Sequence, residues 1–101
     1  MKQRSIPYGY TVKNGKNLPH ADEFIIVQRI FKEYFEGGSF KSIAQTLTHE
    51  NISFLPGRSD WNKNRIKRIL EDTRYTGTSA YPAIISTDVF GQIQTVKNSN
   101  S

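Results

Sequence analysis

The sequence predicts an α+β domain: a helical, helix-turn-helix-like core carrying a small antiparallel β-hairpin. Three observations predict it. Stretches 22–36, 39–49, 62–72 and 87–97 repeat apolar residues at helical spacing, each opened by a polar residue suited to a helix start. Tyr8 to Leu18 alternates as a strand does and contains Asn14-Gly15, the favoured pair for a tight primed turn. The chain has 101 residues, enough for one modest hydrophobic core and not for two.

In chain order, Tyr8, Tyr10 and Val12 form the outgoing strand and residues 16–18 return. A lone hairpin is marginal in water, so this one must lean on the helices or on another strand. The first helix is expected from Asp22 to Glu36. Its two opening acids suit the positive end of the helix dipole, and Phe24, Val27, Ile30, Phe31 and Tyr34 make one apolar face. Gly37-Gly38 ends it, and Ser39 caps a second helix reaching His49 with Phe40, Ile43, Ala44 and Leu47 inward. Residues 50–61 connect, with Pro56-Gly57 as a turn and Trp61 anchoring the start of the next helix. That third helix, from Asn62 to Asp72, turns Ile66, Ile69 and Leu70 inward. Asn64, Lys67 and Arg68 face the opposite way, with Arg65 on the flank. Thr78 to Ile85 reads as a short extended stretch interrupted by Pro82. Ser86 caps a last helix from Thr87 to Lys97, with Val89, Phe90, Ile93 and Val96 inward.

The net charge of +5 is unevenly spread. Residues 1–19 hold Lys2, Arg4, Lys13 and Lys16 and no acid, and residues 20–50 lean acidic. Residues 51–74 hold Arg58, Lys63, Arg65, Lys67, Arg68 and Arg74 against Asp60, Glu71 and Asp72. Such clustering suits a polyanion partner, although charge alone leaves open a plain solvated face. No apolar run approaches the roughly 20 residues that span a bilayer, and Met1 to Ser5 lack the apolar core of a signal peptide, so no membrane partner is expected. Cysteine is absent, which excludes disulfides, thiolate zinc sites and cysteine nucleophiles and fits an intracellular protein.

Catalysis finds little support. His20 and His49 are far apart and suit helix boundaries better than a metal site. No serine lies in an elbow sequence, the glycines are too scattered for a phosphate loop, and the carboxylate pairs Asp22-Glu23 and Glu71-Asp72 sit at helix ends. No cofactor, metal or small-molecule substrate is expected. A helix with an apolar reverse and an Asn, Lys and Arg obverse suits the major groove of duplex DNA, about 12 Å wide. Asn64, Arg65 and Arg68 are the candidates for base or groove contacts, because arginine can grip guanine through two hydrogen bonds and asparagine can pair with adenine. Lys63, Lys67, Arg58 and Ser59 are candidates for phosphates, and Lys2 and Arg4 for the backbone or minor groove.

An ordered set of motifs then resembles the recombinase domain of large serine recombinases, serine integrases and conjugative-transposon recombinases of the resolvase superfamily. "IPYGY" at 6–10 looks like that family's opening. "VQRIFKEYFEGGSFKSIAQTL" at 27–47 is similar to its helix–Gly–Ser–helix core, and "PGRSDW" at 56–61 with "IKRIL" at 66–70 resembles its next segment. "RYTG" at 74–77 and "YPAIISTDVFGQIQ" at 81–94 resemble its close. Two departures stand out: Asn51 where the family usually has Gly, and Glu71-Asp72-Thr73 in place of a basic residue followed by Asn-Pro.

The resemblance implies a single recombinase domain over 1–101, binding a double-stranded DNA attachment site in the bacterial cytoplasm. It implies a parent that exchanges DNA strands through a serine–DNA link, integrating or excising a transposon or prophage, with other recombinase subunits as partners. The catalytic resolvase-like domain and a cysteine-bearing zinc ribbon would lie outside this chain, which would itself be non-catalytic. Two rivals remain: a stand-alone helix-turn-helix transcriptional regulator, and a protein-interaction module serving recombinase synapsis.

Overall fold

Asn14 and Gly15 both adopt positive φ, 52° and 75°, and their turn folds β1 (Tyr10–Lys13) back onto β2 (Lys16–Pro19). Thr11 pairs with Leu18 and Val12 with Asn17 in this two-stranded antiparallel sheet. The computed structural model describes residues 6–54 and 57–99. Lys2, Arg4 and Pro56 lie outside the described residues. The α+β class is the one expected.

The hairpin leans on the helices through tyrosines. Tyr10 is buried, stacks on Tyr75 at 5.8 Å between ring centroids, and donates its hydroxyl to the Pro82 carbonyl at 2.6 Å. Tyr75 in turn donates to the carbonyl of Tyr8 at 2.5 Å. These bonds let phenol groups enter the interior without an unsatisfied oxygen.

Helix α1 (Glu23–Phe35) starts where His20 Nδ1 accepts from the backbone N–H groups of Asp22 and Glu23, at 3.1 and 3.2 Å. Val27, Ile30, Phe31 and Tyr34 are its buried stripe, and Phe24 packs at the margin. Gly37 takes φ 108°, and a Cβ on Gly38 would stand 2.9 Å from the Glu33 carbonyl, so this reversal accepts only glycines without strain. Ser39 and Ser42 form a reciprocal capping box at the start of α2 (Phe40–His49), which buries Ile43, Ala44 and Leu47. Arg29 clamps the two helices by bonding Glu33 within α1 and Glu50 just past α2.

Asn51 has φ 59°, the left-handed conformation that asparagine tolerates where glycine would be easier. The chain then runs to α3 (Lys63–Glu71), capped by the Asn62 side chain on the Arg65 N–H at 2.9 Å. Ile66, Ile69 and Leu70 are its buried residues. A 3₁₀ turn over Thr73–Thr76 follows, and Ser86 caps α4 (Thr87–Ser99) through the Val89 N–H at 3.1 Å. Helix α1 packs on α2, α3 and α4, and α2 packs on α3.

Two expectations need correction. Thr78 to Ile85 is not extended. Thr78 N–H bonds the Tyr81 carbonyl at 2.8 Å, and the N–H groups of Ile84 and Ile85 both bond the Tyr75 carbonyl. Ile84 and Ile85 are consecutive and both buried, which a turn allows and a strand with one solvent face does not. Val89 does not face inward either. It is 38% exposed and lines an open cleft with Phe35, while Ile93 is the residue of α4 that fills the core.

Candidate nucleic-acid interface

The cation-rich face of α3 exists because its reverse is aliphatic. Ile66 and Leu70 are fully buried and Ile69 nearly so. With 100° between successive residues, that stripe obliges Asn64 and Arg68 to point away from the core, with Lys67 to one side and Arg65 to the other. Lys63, Asn64, Lys67 and Arg68 are exposed as this geometry requires.

Both ends of α3 are held. At its start, Thr48 Oγ1 accepts from the Trp61 N–H at 2.9 Å, tying the end of α2 to the residue before the cap. The Trp61 indole donates to the Ile52 carbonyl at 2.7 Å and so fixes the connecting segment. At its end, Gln94 of α4 donates to the Leu70 carbonyl at 2.7 Å, satisfying a carbonyl that the helix leaves open. Lys97 pairs with Glu71 at 3.0 Å, which compensates an acid that would otherwise repel phosphate.

Ion pairing sorts the remaining charges. Arg58 lies bidentate on Asp60, at 3.0 and 3.1 Å, and this bond raises the Arg58 pKa and lowers that of Asp60. Arg74 lies bidentate on Asp72, whose side chain also caps the Arg74 N–H. Arg29 is held by two glutamates. By contrast, among the described residues Lys63, Lys67 and Arg68 form no ion pair, as is also true of Lys13, Lys16, Lys32 and Lys41. Three uncompensated cations therefore fall within two turns of one helix.

Arg65 and Arg68 meet at a shallow cleft of about 150 Å³ that Ile6, Pro7 and Tyr8 also line. Ile6, the first described residue, therefore lies beside these two arginines. Arg65 is half-buried, with its guanidinium carbon 3.6 Å from the centroid of the Phe54 ring. Ser59 is also half-buried and donates to Asn51 Oδ1 at 2.7 Å. So Asn64 and Arg68 form the outward face of α3, with Lys63 and Lys67 on one flank and Arg65 on the other. Arg58 and Ser59 precede it on the connecting segment, each with a protein partner. Arg4 and Lys2 lie outside the described residues. Phe54 and Asp60 bear on this surface and were not singled out in the sequence; the signal available was an aromatic and an acid flanking Arg58.

Among the described residues there is no cluster of three or more His, Asp or Glu side chains able to hold a metal, and no helix long and apolar enough to cross a membrane.

The molecule is thus an α+β domain whose short third helix turns an amide and three cations, Lys63, Lys67 and Arg68, outward from an aliphatic core, those three forming no ion pair among the described residues. Residues 21–100 match the family model described as Recombinase, and the chain belongs to that family. Its fold is also that of the crystal structure of a large serine recombinase (LSR)–DNA complex, with a TM-score of 0.75 at 18% sequence identity. That match covers 97% of this chain and 33% of the other, so this chain spans about a third of the length of the protein it resembles.

Proposed function

We propose that this domain binds duplex DNA site-specifically as the recombinase domain of a large serine recombinase that moves a mobile element. In this reading the whole of 1–101 is one DNA-binding unit, and strand exchange through a serine–DNA link falls to a part of the parent outside it. The observation that carries the reading is the outward face of α3, where Lys63, Lys67 and Arg68 lack ion-pair partners among the described residues and flank Asn64. Family membership and the fold of the LSR–DNA complex support it. Asn64, Arg65 and Arg68 would meet base edges, and Lys63, Lys67, Arg58 and Ser59 would meet phosphates, with Arg4 following the backbone. Arg58 can do so only by sharing or leaving Asp60.

The test is selection of duplexes from a random-sequence library by this chain, followed by fluorescence anisotropy on the winner and on its scrambled counterpart. A recovered consensus bound at least about a thousandfold more tightly than the scramble is the expected outcome for specific recognition. Recovery of no consensus would overturn the reading.

One observation favours a second role. A cleft between α1 and α4 is lined by Phe31, Phe35, Ile84, Ile85 and Val89, with Phe35 53% exposed. Such an apolar surface suits contact with protein, including another recombinase subunit at synapsis. Sedimentation of the chain with and without DNA tests it: assembly lost in Phe35→Ser supports the role, and a monomer throughout removes it.

A further inference from the structure

We propose that the tip of the β-hairpin is a second phosphate-binding point on the same duplex, where Lys13 and Lys16 clamp the DNA backbone within about half a helical turn of the contacts made by α3. The proposal rests on the DNA-binding reading above and extends it to a surface outside α3.

The register sets this pair apart. Lys13 lies directly opposite Lys16 across the Asn14-Gly15 turn. Cross-strand partners stand about 5 Å apart, and like charges so placed repel. The chain carries nine acids, yet none pairs with either lysine among the described residues. Side chains alternate along a strand, so both lysines stand on the face opposite Tyr10 and Asn17, whose polar groups bond the body of the domain. Both are exposed, as is Asn14 between them. A phosphate seated between two such cations replaces their repulsion with attraction to each.

The arm that carries them is braced where a lone hairpin is marginal. Tyr10 packs against the Tyr81 ring at 5.0 Å, and Asn17 donates its amide to the Ala80 carbonyl at 3.0 Å. Thr78 Oγ1 accepts from the N–H groups of Ala80 and Tyr81 and so fixes the facing loop. Between hairpin and loop runs a shallow groove of about 520 Å³. Lys16, Asn17, Thr78 and Ser79 line it, and no carboxylate does so among the described residues. No acid at this edge of the tip therefore competes with a bound anion.

The base of the arm lies at α3, since Pro7 and Tyr8 share a cleft with Arg68. Lys13 is five residues beyond Tyr8, at most about 18 Å of extended chain. One turn of duplex is about 34 Å, so a duplex that lies on α3 and follows the arm meets the tip within about half a turn.

The experiment uses this chain and the duplex it selects. Anisotropy titrations at four salt concentrations compare wild type with the double variant Lys13→Gln, Lys16→Gln. Two lost phosphate contacts should flatten the slope of log K against log salt by about 1.8, a roughly twelvefold change in the affinity ratio between about 50 and 200 mM. Lys32→Gln, which removes an exposed charge on the α1–α4 cleft, should leave the slope nearly unchanged. Phosphate-ethylation interference locates the contact. The double variant should lose interference at one cluster of phosphates, about half a turn from those lost in Arg68→Ala, and keep the rest. Lys16→Glu separates binding from folding: an acid opposite Lys13 should raise the melting temperature while DNA affinity falls.

A slope parallel to wild type in the double variant would overturn the proposal and leave the tip for another anion, such as an acidic protein surface; DNA binding by α3 would stand if Lys67→Ala still flattened it. Interference lost evenly along the duplex would reduce the lysines to diffuse charge and overturn it too. So would a fall in melting temperature in the double variant that matched its loss of affinity. Absence of any duplex binding by wild type would remove the DNA-binding reading itself, and this proposal with it.

Discussion

Lys67→Ala should flatten the salt dependence of DNA binding by about one unit of slope while leaving the fold untouched. Lys67 is exposed on α3, beside Glu71, whose own charge is taken up by Lys97. A lysine so placed arrives at a phosphate without surrendering a protein partner. Each phosphate neutralised on duplex DNA contributes a slope of about −0.9 in log K against log salt. Between about 50 and 200 mM salt the logarithm changes by about 0.6, so one lost contact alters the wild-type-to-mutant affinity ratio roughly 3.5-fold across that range. The loss should be larger at low salt and similar for selected and scrambled duplexes, because a phosphate contact carries no sequence information. Arg58→Ala is the internal comparison. Its guanidinium is already bidentate on Asp60, so its removal should change the slope less. Anisotropy titrations of a labelled duplex of about 30 base pairs at four salt concentrations measure both slopes, one unit being the change expected per lost contact. Parallel lines for wild type and Lys67→Ala would refute the reasoning, as would a larger change for Arg58→Ala.

Other outcomes follow from the same geometry. Arg68→Ala should cost about 1–3 kcal/mol on the selected duplex and much less on the scramble, if this exposed guanidinium grips a guanine edge; equal losses on both would make it a phosphate contact. Leu70 is fully buried under α3, so Leu70→Ala should lower unfolding free energy by about 2–5 kcal/mol in urea titration, and unchanged stability would mean that the helical phase is wrong. Burial foremost, and then the Asp72 carboxylate, push the Tyr10 hydroxyl up to about 12 from its ordinary value of 10.0, against the opposing pull of Arg74. Because the folded value is the higher one, the Tyr10 contribution is complete below about pH 10 and is lost as pH rises through about 12. The melting-temperature gap between wild type and Tyr10→Phe should therefore hold steady up to about pH 10 and narrow between about pH 10 and pH 12, and a constant gap across that window would contradict the burial argument.

The helices were legible because capping and periodicity agree. Ser39 and Asn62 stand where the sequence expects caps, and both make the cap bond. Ile66, Ile69 and Leu70 fell inward as their spacing required, which also settled the outward face of the candidate surface. Asn14-Gly15 made its turn by local chemistry alone. What could not be read depends on distant partners. Ile84 and Ile85 look like strand residues until Tyr75 offers one carbonyl to both their N–H groups, an arrangement between residues far apart in sequence. Val89 matched the helical period but met no neighbour to cover it. His20 was rightly a boundary residue, yet its role as a side-chain cap depends on a ring orientation that spacing does not specify. In the same way, Arg58 and Arg65 belong to one basic cluster in the sequence. In the fold one is turned onto a carboxylate and the other onto a ring.

The most direct measurement is a titration of isotope-labelled protein with the selected duplex, followed through backbone amide shifts. The expected result is that the largest shifts and broadening cluster at residues 58–59 and 63–68, with the amides of α1 and α4 along the Phe35–Val89 cleft nearly still. Shifts concentrated on that cleft, with α3 unmoved, would contradict the account.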